Sequence, residues 1–313
     1  MQRKLTILTI IILVLVSVNI YFLVTSARID DTGPGPVFTT VEAAYVFPRV
    51  QANYLPLLDP SSGNVELSAK SAIVYDVKTG RELFQKDPEA KLPIASLTKI
   101  MTAIVVWETL SPNDVVTVPA SAVKADGERQ DLYAGENISV NSLLQLMLIE
   151  SSNDAAHALT HYAKEKGIDL VGEMNLKAAE LGMYSTKFMD PAGLDDSGYS
   201  TVSDLVKAVK YGLRYSVIWN FSRSQTAIVA STDGRISHQA RSTNQLLGIV
   251  TDIFGGKTGY TDSALGCMIL IVDVPPPAGG QEDKIISIVL GSRSRFDDIS
   301  KLVQWTRTAY RWE

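Results

Sequence analysis

A serine and a lysine three positions apart, Ser96 and Lys99, have the residue types and spacing of a nucleophile beside its base. A serine hydroxyl attacks a carbonyl only when a neighbouring group takes its proton. A lysine can take it only as the neutral amine; burial and the positive end of a helix dipole lower a lysine pKa, whereas a nearby carboxylate raises it. The pattern S-x-x-K therefore suggests covalent catalysis, but it is common by chance and, taken alone, more often marks an N-cap serine and a surface lysine.

Two further motifs carry residues suited to the same chemistry. Ser151-Ser152-Asn153 lies between two apolar helical patterns, and Lys257-Thr258-Gly259 follows Gly255-Gly256. Both motifs are short, so Ser151 alone equally fits a helix N-cap and Lys257 alone a solvated lysine. The occurrence of all three motifs in one chain, in this order, predicts that they meet at one site.

The elements that must position these motifs are predicted from hydrophobic patterns. Residues 100–107 are apolar on all sides, which indicates a buried helix that begins near Ser96, after Pro93. Strands are predicted near residues 72–77, 82–84, 226–230, 267–274 and 285–290, and further helices near 140–149, 155–166, 171–181, 201–215 and 295–311. This order predicts an α+β fold, in which helices flank an antiparallel sheet built from both ends of the domain, with a helical insertion between.

The N-terminus indicates export. Residues 5–24 form a stretch of twenty residues without a charge, enough for a helix of about 30 Å that spans a bilayer. Arg3 and Lys4 favour a cytoplasmic N-terminus, which would put the rest of the chain on the extracytoplasmic side. An uncleaved anchor is favoured over a signal peptide, although residues 25–27 offer a small-residue cleavage site. The predicted organisation is an anchor or signal over residues 1–24, a Pro- and Gly-containing stalk over 25–69 and a folded domain over 70–313.

Composition argues against several classes of function. The 313-residue chain has a formal net charge of −5 and no long basic run, which disfavours nucleic acid as a partner. Cys267 is the single cysteine, so neither an internal disulfide nor a cysteine metal site is predicted. His157 and His161 are spaced like zinc ligands on a helix, but Ala158 stands where a general-base glutamate would be. The sequence predicts no metal and no other cofactor.

With its three motifs the sequence resembles the penicillin-recognising serine enzymes, which share S-x-x-K, S-x-N and K-T-G. Longer stretches resemble more narrowly the D-alanyl-D-alanine carboxypeptidases, the low-molecular-mass penicillin-binding proteins: residues 92–99, 152–156, 243–247 and 256–261. The resemblance covers about residues 67–313 and implies a β-lactamase/transpeptidase-like fold. It implies a bacterial membrane enzyme of cell wall maturation that removes the terminal D-alanine of peptidoglycan stem pentapeptides, with β-lactams as covalent inhibitors.

The resemblance implies a role for each catalytic residue. Ser96 would form the acyl-enzyme, Lys99 would act as its base and Ser151 would pass a proton to the leaving amine. Asn153 would position Lys99 and the substrate amide. The three motifs would thus divide attack, proton transfer and positioning among them.

The resemblance also implies a substrate-binding set. Its members are Lys257, Thr258, Gly259, Thr261, Ser263 and Arg295. A backbone N–H near Ser263 would complete an oxyanion hole with that of Ser96. Thr258 and Arg295 would bind the terminal carboxylate of the substrate, with Arg293 as a competitor for the arginine role.

Three alternatives are open at this point. A D,D-endopeptidase that cuts peptidoglycan cross-links would use the same residues. A class A-like β-lactamase would need a glutamate in an E-x-x-L-N loop, and the nearest string, residues 173–176, does not match it. A catalytically silent cell-wall-binding protein is disfavoured by the intact motifs.

Overall fold

The computed structural model describes residues 13–21, 55–123, 132–274 and 283–312. The chain divides into two units, Met1–Ala52 and Asn53–Glu313. In the first unit, residues 13–21 are helical. Among the described residues, no helix has both the length and the apolar character needed to cross a membrane. The rest of the predicted anchor, and the predicted stalk as far as residue 54, lie outside the described residues.

The second unit contains eleven strands in its described part. They are β1 Pro56–Leu58, β2 Ser71–Asp76, β3 Glu82–Lys86, β4 Val115–Thr117, β5 Asn137–Ser139, β6 Thr226–Ala230, β7 Ser237–Arg241, β8 Ile253–Thr261, β9 Leu265–Val274, β10 Asp283–Ser292 and β11 Tyr310–Trp312. Five of them form the central sheet in the order β3-β2-β10-β9-β8, with every neighbouring pair antiparallel. Strands from both ends of the unit therefore meet in one sheet, as the sequence predicts.

Seven α-helices accompany the strands in the described part of this unit. They are α1 Thr98–Thr109, α2 Val140–Ile149, α3 Asn153–Glu165, α4 Leu170–Glu180, α5 Val202–Gly212, α6 Ser216–Ser222 and α7 Arg295–Ala309. The first six lie between the two groups of sheet strands, which is the predicted helical insertion. The α+β prediction is confirmed.

The sheet separates two hydrophobic cores. Along β9, Ile269 and Ile271 face the core that includes α1 to α6. Leu270 and Val272 alternate with them and belong to the core beneath α7, which packs against β9 and β10. Because both faces are covered, β9 is a nearly continuous apolar run rather than an alternating one.

Helix α1 lies in the interior of the larger core. Its residues from Thr98 to Val106 are all buried, which is why its sequence shows no polar face. A short 3₁₀ turn, Ala95–Leu97, precedes the helix and packs against β8 and β9. The turn carries the first motif to the edge of the sheet.

The folded unit begins earlier than the predicted boundary at residue 70. Strand β1 pairs antiparallel with β11, so Leu57 lies opposite Arg311. The Ser68 hydroxyl donates to Asp298 Oδ2 over 2.8 Å. These pairings join residues more than 200 positions apart, so no local pattern could reveal them.

Strand β9 also holds the single cysteine. Cys267 is fully buried, and its sulfur lies 3.7 Å from the carbonyl oxygen of Pro93. Burial raises the pKa of the Cys267 thiol to about 11. The thiol is therefore protonated at neutral pH and behaves as a small apolar side chain.

Candidate active site

Ser96 lies in the 3₁₀ turn, one residue before the N-cap of α1. The residue before it, Ala95, has φ +48°, a left-handed conformation that is rare for alanine. Such strain is tolerated where the surrounding structure fixes the backbone, here by the contact of the turn with β8. Although Ser96 is outside the α-helix, it keeps its predicted proximity to Lys99.

Lys99 has three polar contacts and no exposed surface. Its Nζ lies 2.8 Å from Ser96 Oγ, 2.7 Å from Asn153 Oδ1 and 2.8 Å from the carbonyl oxygen of Ala192. Burial lowers the pKa of Lys99 to about 7, and the Asp190 carboxylate opposes that shift. Near neutral pH the amine can donate to Asn153 and Ala192 while its lone pair faces the Ser96 hydroxyl.

The second motif occupies the junction between α2 and α3. Ser152, not Ser151, is the N-cap of α3, because its side chain accepts the N–H of Ala155 over 3.1 Å. Ser151 has φ +69°, and its hydroxyl accepts from Lys257 Nζ over 2.8 Å. Since Ser152 satisfies the cap, the Ser151 hydroxyl is directed toward the lysine of the third motif.

The third motif lies on β8, the edge strand of the sheet nearest to Ser96. Lys257 is buried and donates to the carbonyl oxygen of Thr258 over 2.9 Å as well as to Ser151. A Cβ atom at Gly259 would lie 2.9 Å from the backbone nitrogen of Ser96. Glycine is therefore required where β8 passes the nucleophile, because any side chain there would displace one of the two segments.

The free edge of β8 can supply the second donor of an oxyanion hole. The N–H of Gly256 points away from β9 and donates to Ser222 on α6 over 3.1 Å. In an antiparallel strand the N–H direction alternates, so the N–H groups of Thr258 and Tyr260 face the same edge. Because Gly259 passes close to the backbone of Ser96, the N–H of Tyr260, the next residue along the strand, is the candidate for the second donor.

Ser263 does not lie where the sequence analysis expects an oxyanion donor. Strand β8 ends at Thr261, and Ser263 lies in the turn to β9. The hydroxyl of Ser263 donates to Asp196 Oδ2 over 2.6 Å, and that of Thr261 donates to Asp196 Oδ1 over 3.0 Å. The N–H of Ser263 is therefore not on the edge of β8, because the strand ends two residues before it.

A cavity of about 350 Å³ opens over these groups. Its lining comprises Ser96, Glu150, Ser151, Asn153, Leu194, Thr243, Thr258, Gly259, Tyr260, Thr261, Asp262 and Arg295. Lys99 and Lys257 lie buried against its wall, each in contact with a lining serine. All the predicted site residues except Ser263 thus line this cavity or contact a residue that does.

Arg295 is the first residue of α7 and is half-buried at the cavity. Its guanidinium lies 4.6 Å from the ring centroid of Phe296 and 5.9 Å from that of Tyr260. Burial lowers its pKa, and no carboxylate in the described part of the chain forms an ion pair with it. Arg293 is exposed and outside the cavity lining, so the geometry favours Arg295 as the cation for an anionic ligand.

Comparison with known proteins identifies the family. A family model described as D-alanyl-D-alanine carboxypeptidase matches residues 59–294. The chain belongs to the D-alanyl-D-alanine carboxypeptidase family. Its members are serine-type peptidases, so the chain is a hydrolase of that class, and its three motifs correspond to the expected set.

Relatives within the family carry both carboxypeptidase and endopeptidase names. The D-alanyl-D-alanine endopeptidase of Pseudomonas aeruginosa is 31% identical over 248 residues, 78% of each chain. D-alanyl-D-alanine carboxypeptidase DacF of Bacillus subtilis is 33% identical over 207 residues, which are 64% of this chain and 53% of DacF. The ampicillin-bound structure of penicillin-binding protein D2 from Listeria monocytogenes is 31% identical, with a TM-score of 0.64 over 78% of this chain and 99% of that one.

Thr243 is a cavity residue of this family member to which the sequence analysis assigned no role. Its Oγ1 lies 2.6 Å from Thr258 Oγ1, and its N–H donates to the carbonyl oxygen of Ile149 over 3.2 Å. Thr243 therefore links the loop before β8 to the end of α2 and adds a second hydroxyl beside the K-T-G threonine. The family-like stretch over residues 243–247 was the available signal, but it did not indicate which side chain enters the site.

The histidine pair and the glutamate that the sequence analysis considered both lie outside the lining of the cavity. His157 is half-buried with its pKa lowered, chiefly by burial, while His161 Nδ1 lies 3.6 Å from Glu165 on the surface of α3. Over the described ranges, no three His, Cys, Asp or Glu side chains gather as a metal site would need. Glu173 is exposed on α4 and outside the cavity lining, so it is not in the place of a β-lactamase deacylating glutamate.

Proposed function

We propose that this protein is a serine-type D-Ala-D-Ala carboxypeptidase that removes the terminal D-alanine from peptidoglycan stem pentapeptides. The observation that carries the proposal is the fully buried Lys99 amine, 2.8 Å from Ser96 Oγ, with a pKa of about 7. A neutral amine in contact with the serine is what nucleophilic attack requires. Family membership supports the bond that is cut.

In the first step Ser96 Oγ attacks the carbonyl carbon between the two D-alanines, and its proton passes to Lys99 Nζ. The resulting oxyanion is stabilised by the backbone N–H groups of Ser96 and Tyr260. Asn153 Oδ1, at 2.7 Å from the same Nζ, keeps the amine directed at the serine. The C–N bond then breaks, leaving an ester on Ser96.

The leaving amine needs a proton when the C–N bond breaks. Ser151 can pass one from Lys257, because its hydroxyl lies 2.8 Å from the Lys257 ammonium. Before water attacks, Lys99 gives up to solvent the proton that it took from Ser96, and Lys257 takes up from solvent the proton that it lost. Water then attacks the ester and gives its proton to Lys99, which passes it to Ser96 Oγ as the ester bond breaks and the shortened peptide leaves. Every proton transfer to or from the reacting groups thus has a donor or acceptor within the described site, and solvent returns the two lysines to their starting states.

The leaving D-alanine ends in a carboxylate, and the strand wall of the cavity offers groups that bind one. Thr258 and Thr243 provide adjacent hydroxyls, and Arg295 provides a guanidinium without a carboxylate partner among the described residues. The free edge of β8 can pair with the peptide backbone as an added strand. This arrangement would fix the scissile carbonyl over Ser96.

D,D-endopeptidase activity is the second candidate, because the relative from Pseudomonas aeruginosa that matches over 78% of both chains carries that name. Cutting a cross-link uses the same nucleophile and leaves a larger amine. Mass spectrometry of products from a stem pentapeptide and from a cross-linked dimer distinguishes the two. We expect D-alanine release from the pentapeptide to be the faster reaction, and faster cleavage of the dimer would reverse the assignment.

Penicillin binding follows from the same chemistry, since a β-lactam carbonyl would acylate Ser96. The ampicillin-bound form of the relative from Listeria monocytogenes supports this proposal. A fluorescent penicillin should label the wild-type protein covalently. Absence of any label, with no D-alanine release, would favour a catalytically silent wall-binding protein.

We also propose that residues 1–24 anchor the protein in the bacterial membrane, with the catalytic domain on the extracytoplasmic side. The support is the uncharged stretch over residues 5–24 behind Arg3 and Lys4. The protein should stay in the membrane fraction after carbonate washing, at its full precursor mass. A soluble form that begins near Arg28 would show that the segment is a cleaved signal.

A further inference from the structure

The turn Asp190-Pro191-Ala192-Gly193 forms one wall of the pocket that holds Lys99. Three of its backbone groups contact the nucleophile segment or α1. The carbonyl oxygen of Ala192 accepts from Lys99 Nζ over 2.8 Å, and that of Pro191 accepts from Thr102 Oγ1 over 2.7 Å. A Cβ atom at Gly193, which has φ +78°, would overlap the carbonyl of Ala95. The turn is therefore in direct contact with Lys99 and with Ala95, the residue that precedes Ser96.

The carboxylate of Asp190 holds this turn from within. Its Oδ1 accepts the N–H groups of Ala192 and Gly193, each over 2.6 Å, and its Oδ2 accepts that of Asp195 over 2.8 Å. Ala192 thus donates to Asp190 with its N–H and accepts from Lys99 with its carbonyl. One peptide segment connects a carboxylate to the catalytic amine.

We propose that Asp190 is a positioning residue for Lys99, one that both fixes the Ala192 carbonyl and sets the pH range in which the amine works as a base. The inference rests on the proposed role of Lys99 in acylation. Its two parts are separable, because the hydrogen bonds need only an acceptor, whereas the charge needs an ionised carboxylate.

The charge of Asp190 and the burial of Lys99 have opposite effects on the pKa of Lys99. Burial lowers the pKa of Lys99, and the neighbouring carboxylate raises it. His157 on α3 is also electrostatically coupled to Lys99 and Asp190, and Lys257 on β8 lies against the other catalytic serine. Without the carboxylate the amine would lose its proton at lower pH, so the acid limit of the reaction would move downward.

The test is the pH dependence of acylation by a fluorescent penicillin, measured on the full chain. In the wild type the rate should fall tenfold per pH unit below about pH 7, where Lys99 becomes protonated. Asp190→Asn keeps an oxygen acceptor but removes the charge, so the midpoint should fall by about one unit. Asp190→Ala removes both and should also lower the plateau rate by about tenfold or more.

Asp195→Asn is the matched control, because it removes one charge from the same loop at an exposed carboxylate bonded to Ser197. Its midpoint should stay at the wild-type pH. An unmoved midpoint in Asp190→Asn, or an equal shift in Asp195→Asn, would overturn the inference. If Asp190→Asn does not fold, Asp190→Glu must keep the wild-type midpoint, and a midpoint that falls would count against the charge role.

The result is independent of the identity of the natural substrate. If the wild type is not acylated at any pH, the proposed function itself fails. If it is acylated and the midpoints of the variants coincide, the function stands and only the role of Asp190 is refuted.

Discussion

The two walls of the active-site cavity are built from different kinds of structure. The helical wall holds Ser96, Lys99 and Asn153 on buried segments, and Lys99 has no exposed surface. The strand wall is the free edge of β8, where Tyr260 is 57% exposed. One wall is a part of the hydrophobic core, and the other is an unpaired sheet edge.

This difference separates proton transfer from recognition. The pKa of Lys99 is lowered to about 7 by its removal from water, which the core around α1 provides. A peptide substrate needs exposed N–H and C=O groups to pair with, which only a sheet edge provides. Substitutions on the helical wall should therefore abolish chemistry, whereas those on the strand wall should weaken binding in a substrate-dependent way.

The largest expected effect is that of Ser96→Ala, which removes the nucleophile. Both penicillin labelling and D-alanine release should disappear, while the fold and the thermal midpoint stay close to those of the wild type, because a hydroxyl is removed without leaving a large cavity. Labelling by fluorescent penicillin measures the loss of acylation, and a calorimetric scan measures the thermal midpoint. Ser61→Ala, at an exposed site, is the control, and residual acylation of Ser96→Ala would place the nucleophile elsewhere.

Lys99→Arg should lower acylation by about 10²–10⁴-fold, because a guanidinium cannot accept a proton near neutral pH. Its rate should also no longer rise through pH 7. Stopped-flow acylation between pH 5 and pH 9 measures both features. Lys164→Arg on α3 should be indistinguishable from the wild type. If Lys99→Arg keeps activity within a few-fold of the wild type, Lys99 has a structural role. The assignment of proton transfer to the helical wall would then be wrong.

Arg295→Ala should reduce kcat/KM by about ten- to a hundred-fold on a peptide with a free terminal carboxylate, the cost of a lost charged hydrogen bond of about 1.5–3 kcal/mol. The same peptide with an amidated terminus should be cleaved equally by variant and wild type. Arg293→Ala is the matched control and should have no effect. Equal losses of Arg295→Ala on both peptides would mean that Arg295 supports the fold rather than the carboxylate.

Thr243→Val should give the smallest effect, about two- to tenfold in kcat/KM, because a neutral hydrogen bond contributes about 0.5–1.5 kcal/mol. The loss should appear in KM for the free-carboxylate peptide and vanish on the amidated one. Thr243→Ser, which keeps the hydroxyl, should restore the wild-type KM. A loss confined to kcat would mean that Thr243 acts in the chemical step, with the residues of the helical wall, rather than in substrate binding.

The parts of the site that the sequence could predict depend on local spacing. Ser96 and Lys99 are three residues apart at a helix start, so backbone geometry alone brings their side chains together. The all-round apolar pattern of residues 100–107 likewise indicates burial, and residues 98–106 are buried in the structure. The resemblance of three separate motifs to one family then predicted that distant segments converge.

The parts that escaped prediction depend on long-range or backbone contacts. The Ala192 carbonyl that binds Lys99 is 93 positions away and carries no side-chain signal. Ser263 lies outside β8 because the strand ends at Thr261, and the sequence does not mark that end. The pairing of β1 with β11 joins the two ends of the folded unit, so the predicted stalk boundary at residue 70 was too late.

The burial of Cys267 has a consequence for redox chemistry. With a thiol pKa of about 11, only about one molecule in several thousand carries the reactive thiolate at pH 7.5. The chain can therefore encounter oxidants or other disulfides without forming mixed disulfides while β9 stays in place. A thiol reagent can modify Cys267 only when the sheet beside β8 opens. The rate of that modification therefore measures how often the substrate-binding edge of the sheet opens.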